Sequence, residues 1–195
     1  MYNLLAKPFY WLDKHLYHTG YTLKMETAPF DNHFGVIFYI TLFLLAILGA
    51  FVWGLLDKKR YNYDKLFYWF NLYLRYTLAI VIFGYGIDKL IPIQMTYPSV
   101  ISLITPYGEL SRFDVLWNFM GVSPGYMIFT GASEIAGSLL LLSRRTAVAG
   151  YLLLLAVLSN VVALNFFYNI PVKLFSSQLL LYDLYLLAPY LKKIF

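Results

Sequence analysis

Cysteine is absent from the 195 residues. That excludes disulfides, thiolate catalysis, iron–sulfur ligation and covalently attached c-type haem. Charge is scarce too: Asp, Glu, Lys and Arg make up 13% of the chain, about half the share of an ordinary soluble domain. Histidine occurs three times, as His15, His18 and His33, all before the first long apolar run, so no span offers an axial imidazole to a haem. His15 and His18 stand at i,i+3 with only Asp13 and Glu26 nearby. They read as solvated interfacial histidines, and no metal site is expected. There is no phosphate loop, zinc-ligand motif or Ser/His/Asp order. The opening residues lack a continuous apolar core and a small-residue cleavage site, so no cleaved signal peptide is expected. The formal charge of +5 comes from short basic clusters beside apolar runs, without a basic face or RNA-binding signature. Nucleic acid is excluded as a partner on that pattern.

What remains is apolar. Hydrophobic residues form 61% of the chain, aromatics 20%, and the mean hydropathy is +0.64. The 19 Tyr and 16 Phe cluster near the ends of apolar runs, where amphipathic rings favour the headgroup region. The composition predicts an all-α, polytopic membrane bundle in a lipid bilayer, with five transmembrane helices and short interfacial ones. Residues 1–33 form an N-terminal interfacial segment in which Pro8 opens a short helix, with Phe9, Leu12 and Leu16 on one side, and Gly20 closes it. Residues 34–195 form the bundle, with spans at about 34–56, 70–91, 125–142, 146–167 and 174–191. Within the second, Tyr61–Leu74 is an aromatic lead-in and Arg75 opens the apolar stretch, which Pro92 interrupts. The connection from Pro92 to Pro124 carries its own amphipathic helix, with Ser111 as N-cap and Phe113, Leu116, Trp117 and Met120 on one face.

Basic residues set the orientation. Lys58, Lys59, Arg60 and Lys65 follow the first span, Arg144 and Arg145 the third, and Lys192 and Lys193 the fifth. The positive-inside rule then puts the N-terminus and the long second loop outside and the C-terminus on the cytoplasmic side of the membrane.

The polar groups inside spans are the candidates for function. Glu134 sits about 13 Å from either end of its apolar run, where hydrocarbon disfavours an ionised side chain by about 2.5–3.5 kcal/mol on insertion scales. Thr130 and Ser138 lie one turn to either side of it, and the small pairs Ala132/Ala136 and Ser133/Gly137 suit a close neighbouring helix. Asp183 is a second midplane carboxyl. Lys89, reaching about 6 Å along its stem, is placed to meet either of them, while Asn160 and Asn165 lie in the outer half of the fourth span. Gly84 and Gly86 allow tight helix packing or, alternatively, a flat surface for a ring such as a quinone beside Tyr85, Tyr107 or Trp117. The expected ligand-binding set is Glu134, Lys89, Asp183, Asn160 and Tyr85; the bland alternative is a hydrogen-bonded network that only fixes helix register.

Arg75, the segment Phe83-Gly84-Tyr85-Gly86-Ile87-Asp88-Lys89-Leu90, the Glu134-Ile135-Ala136-Gly137 core, the Arg144-Arg145-Thr146 turn, the Asn165–Lys173 segment and the Asp183 span together resemble the DoxX-like family of small bacterial membrane proteins. The resemblance covers about Arg75 to Leu191. It implies a four-helix membrane bundle, here with one added N-terminal span, and a place in a membrane redox or respiratory assembly, with a membrane protein partner. With no redox-active side chain of its own, the chain would take part by holding a quinone or by anchoring a partner. A non-catalytic accessory or assembly protein is the alternative, and a small proton-coupled transporter a third, although no inverted repeat is visible. Whether the protein is an enzyme is left open.

Overall fold

The computed structural model describes residues 2–18, 31–57, 62–91 and 93–194, and every regular element among them is helical. The expected helix stop at Gly20, the basic residues Lys58–Arg60 and the break at Pro92 lie outside the described residues. The chain divides into two compact units, Met1–Tyr63 and Asp64–Phe195.

The first unit holds α1 (Tyr2–Leu12), a π-helical turn over Asp13–Tyr17, and α2 (His33–Leu56). Pro8 lies inside α1 rather than opening it. A proline there forfeits one intrahelical hydrogen bond. Its neighbour Phe9 is fixed against α2, with ring centroids 5.7 Å from Phe34 and 5.2 Å from Phe38. Asn32 caps α2 by accepting from the Gly35 N–H at 2.8 Å. His15 Nδ1 donates to the Trp11 carbonyl at 2.9 Å, and its ring stacks on that of Trp11.

The second unit is a bundle of four long helices: α3 (Asp64–Leu90), α6 (Pro124–Leu142), α7 (Ala147–Phe167) and α8 (Lys173–Ile194). The aromatic lead-in is no separate element, because α3 is continuous, at about 40 Å, and Arg75 sits about three turns inside it. Each helix carries a buried stripe at helical spacing. On α3 it runs Leu74, Arg75, Leu78, Ala79, Ile82, Gly86, Lys89; on α6 Met127, Gly131, Glu134, Gly137, Ser138, Leu141; on α7 Ala147, Gly150, Tyr151, Leu154, Leu158, Asn165. The α8 stripe is Ser176, Leu179, Asp183, Leu186, Leu187. The helices form a ring in the order α3, α6, α7, α8, with α3 packing closely on α6, α6 on α7, α7 on α8 and α8 back on α3. Thus α6 and α8 are diagonal.

Between α3 and α6 lies the connection that the sequence marks as long. It holds α4 (Val100–Ile104), a 3-10 turn at Tyr107–Glu109 and α5 (Arg112–Gly121). Ser111 caps α5 as expected, its hydroxyl accepting from the Asp114 N–H at 3.1 Å. Gly121 packs against the backbone of Thr96, where a Cβ would fall 2.2 Å from the carbonyl oxygen. At the α7–α8 turn Asn169 adopts the left-handed region, φ 56°, a conformation in which its short amide is tolerated, and its Oδ1 accepts from Lys173 Nζ at 2.9 Å.

Among the described residues four helices, His33–Leu56, Asp64–Leu90, Pro124–Leu142 and Ala147–Phe167, are long and apolar enough to cross a bilayer, which makes this a membrane protein. The segment expected as the fifth span is helical, as α8, but it is not one of these four.

The α3–α6 seam rests on glycine. A Cβ on Gly86 would lie 2.6 Å from Ile135 Cγ1 and 2.9 Å from the Gly131 carbonyl oxygen, and a Cβ on Gly131 would lie 2.7 Å from the Gly86 carbonyl oxygen. Gly84 has open space around it. Gly131→Ala is therefore expected to destabilise the bundle by about 1–3 kcal/mol through overpacking, whereas Gly84→Ala leaves it unchanged or slightly more stable. Denaturation in mild detergent distinguishes the two.

Candidate functional site

The site begins with the glycine crossing. Because the backbones of α3 and α6 touch at Gly86 and Gly131, the Lys89 Cβ comes to within 3.0 Å of where a Gly131 side chain would start. The lysine stem can then run along α6 for one turn. It ends in an ion pair and hydrogen bond from Lys89 Nζ to Glu134 Oε1, with both residues buried. Tyr85, one turn before Lys89 on α3, is half-buried beside them, within electrostatic reach of Glu134 and Asp88, and its ring centroid is 6.2 Å from that of Phe175 on α8.

The pair is incompletely satisfied. Glu134 Oε2 is buried with no hydrogen-bond partner among the described residues. Thr130 and Ser138, which flank Glu134 on its helix, donate instead to the carbonyls of Met127 and Ile135 at 2.9 and 2.8 Å. The expected small-residue pairing also shifts. Ala132 and Ala136 are exposed, and Gly131 and Gly137 provide the close approaches, the latter against Leu154 of α7.

Two of the expected ligand-binding residues lie elsewhere. Asn160 is exposed. It stands about 200° around α7 from Leu158, which belongs to the buried stripe, so it faces away from the interior of the bundle. Asp183 is completely buried but on α8, diagonal to α6, and it makes no ion pair or hydrogen bond to Lys89 or Glu134. Sharing a depth with Glu134 does not put it on an adjacent helix. Asn165 is buried, with its Nδ2 unpartnered.

The long connection packs into an apolar cluster of Met95, Leu116, Met120, Met127 and Ile170. A half-open cleft of about 420 Å³ lies between the connection and the end of α7, lined by Leu103, Tyr107, Leu110, Asn118, Phe119 and Tyr168 among others. Trp117 is not in its wall; it stacks on Phe113 with centroids 4.0 Å apart. Chemically, the site offers a carboxylate oxygen able to accept one further hydrogen bond and a phenol beside it. Gly131 and Arg75 escaped the sequence reading as interior residues. The signal for both was their place in the period of the buried stripes, between Met127 and Glu134 and between Leu74 and Leu78 respectively.

Comparison with known proteins places one relative beside this chain. The uncharacterized protein YwoB of Bacillus subtilis (strain 168) is 33% identical over 116 residues, which is 58% of this chain and 71% of YwoB. No protein-family model matches the chain. No solved structure matches it either.

Removing one partner of a buried ion pair leaves an uncompensated charge, at a cost of about 3–5 kcal/mol. Lys89→Met is accordingly expected to destabilise strongly, and Lys89→Met/Glu134→Gln to recover most of that loss. A double-mutant cycle on unfolding in detergent reads the difference; additive losses would show that the two side chains are not coupled.

Proposed function

The chain belongs to the same family as YwoB; from the resemblance of its motifs to the DoxX-like family we propose that it is an integral membrane subunit of a redox or respiratory assembly. Its bundle holds a quinone or lipid headgroup at Glu134, Lys89 and Tyr85. The observation that supports this is the unpartnered, buried Glu134 Oε2 next to a fixed ammonium. A buried acceptor without a donor costs about 1–3 kcal/mol. A ligand hydroxyl or a bridging water would relieve it, and a quinol presents such a hydroxyl. Small-molecule sites in bundles lie between helices, with an apolar lining and few fixed polar groups. On α6 itself Met127, two turns before Glu134, belongs to an apolar cluster with Met95 and Ile170.

The assignment carries the DoxX-like architecture with it. In this reading α8, about 33 Å long over its 22 residues, is the fifth span, and α3, α6, α7 and α8 are the four-helix bundle. The N-terminus and the α3–α6 connection face outward and the C-terminus inward across a bacterial cytoplasmic membrane, following the basic residues after the first, third and fifth spans. The connection and α1 are then the surfaces available to a partner protein.

A second reading has its own support. The Gly86–Gly131 contact alone would bring Lys89 to Glu134, so the pair would serve as a lock on helix register in a non-catalytic accessory or assembly protein.

Extraction in mild detergent, followed by mass spectrometry of the co-purifying polypeptides, lipids and quinones, separates these readings. Bound quinone or headgroup lipid is expected in the wild type and is expected to fall at least tenfold, about 1.4 kcal/mol, in Glu134→Gln. A protein that carries only bulk lipid in both forms, while the variant loses stability alone, supports the register lock.

A further inference from the structure

The connection between α3 and α6 holds its polar groups inward and its apolar side chains outward. From Leu90 to Gly108 the sequence has no charged residue. Within that stretch α4 buries none of its residues. Val100, Ile101 and Ile104 are 74, 75 and 74% exposed, and Tyr97 before the helix and Tyr107 after it are 64 and 76% exposed. The hydroxyls of the same segment are already paired. Ser99 Oγ accepts from the Ser102 N–H at 3.2 Å, Thr105 Oγ1 donates to the Ile101 carbonyl at 2.7 Å, and Ser102 Oγ accepts from Asn118 Nδ2 of α5 at 2.6 Å. The Leu103 and Thr105 N–H groups donate to the Ser99 and Ile101 carbonyls.

A contiguous exposed apolar surface marks contact with protein or with lipid, and backbone and hydroxyl groups satisfied from within are what hydrocarbon requires of a segment that meets it. Continuity with a span decides between the two. Phe129 and Tyr126, 66 and 42% exposed, stand on the outward side of α6, which is long and apolar enough to cross the bilayer. The Phe129 ring is 6.3 Å from that of Tyr126, and the Tyr126 ring is 5.9 Å from that of Phe119 on α5. Phe119 and Val122 then line the cleft of about 420 Å³ that Leu103 of α4 and Tyr107 line as well. The lipid-facing side of the span therefore runs on through α5 and the cleft to α4, by way of uncharged residues. Charge resumes only past Tyr107, at the exposed Glu109, Arg112 and Asp114.

We propose that α4, with Tyr97 and Tyr107 at its ends, is an arm embedded in lipid. Val100, Ile101 and Ile104 lie at the hydrocarbon border of the leaflet found at the Lys89 end of α3, and the two tyrosines lie at headgroup level. What covers this face is the bilayer, through the hydrocarbon common to its lipids, and no particular headgroup is selected. The charged stretch from Glu109 to Asp114 stays on the water side, where a protein partner can reach it. The arm depends neither on what Glu134 binds nor on which way the bundle is inserted.

Because the chain has no cysteine of its own, a single introduced one reports on one position. Nitroxide labels on Val100→Cys, Ile104→Cys and Glu109→Cys are read in the full chain in lipid nanodiscs against two relaxing agents: oxygen, which partitions into hydrocarbon, and a neutral nickel chelate, which stays in water. At positions 100 and 104 oxygen is expected to relax the label more than the chelate does, and at position 109 the order is expected to reverse. Chelate access at 100 and 104 equal to that at 109 would put the arm in water, and shielding from both agents would put it under a second copy of the chain; either result overturns the proposal. The unsubstituted chain gives an independent reading with a carbene photolabel dissolved in the lipid phase and mapped by peptide mass spectrometry. Adducts are expected between Tyr97 and Tyr107 and not between Glu109 and Asp114, and an arm without adducts overturns the proposal as well.

Discussion

The candidate site depends on a contact between two backbones. Gly86 and Gly131 bring α3 and α6 so close that neither position tolerates a Cβ in its present place. That distance lets Lys89, at the end of one helix, reach Glu134 in the interior of the other. Were the helices held apart by ordinary side chains, at the usual 8–10 Å between axes, the lysine would have solvent or lipid headgroups as its nearer destination. The small residues and the ion pair are therefore one arrangement. The glycines supply proximity, and the pair makes one register better than its neighbours, because a slip would leave two charges unmatched in an apolar surround.

The rest of the second unit follows from the same economy of polar groups. Each of the four long helices buries a stripe that is mostly Leu, Ala, Gly or Met, with a single interruption or two by a polar side chain. Hydroxyls on these stripes are satisfied within their own helices, as with Ser138 to Ile135 and Ser176 to Lys173. The ionisable groups are not. Glu134, Arg75 and Asp183 each retain an unpartnered buried atom. A bundle that needed only stability would have little use for three such groups, since apolar replacements of similar volume are often neutral or stabilising. Their presence is the physical ground for placing function in the interior of the bundle.

Much of this was legible in the sequence. The helical character, four of the spans, the Ser111 cap and the meeting of Lys89 with Glu134 all follow from run length, capping chemistry and the reach of a lysine stem. What was not legible is azimuth. Depth along a span is counted from its ends, but Asn160 and Asp183 show that equal depth says nothing about which helix lies opposite. Asn160 turns away from the stripe that Leu154 and Leu158 define, and Asp183 belongs to the helix diagonal to Glu134. The period of the flanking residues could have excluded Asn160. No local pattern could have placed α8 across from α6, since that follows from the order in which the four helices close the ring. The continuity of α3 through its aromatic start and the placing of Pro8 within α1 have the same origin: tertiary contacts such as Phe9 on Phe34 hold helices through positions where local propensity would end or begin them.

The central claim is that the free oxygen of Glu134 is a ligand contact. The most direct measurement is an experimental structure of the chain in native-like lipid, purified without ligand exchange. The account predicts non-protein density within hydrogen-bond distance of Glu134 Oε2, bordered by Tyr85 and the Met127 side of α6. Density confined to the cleft beside Tyr107 and Tyr168, or a Glu134 whose second oxygen is satisfied by the protein itself, would contradict it.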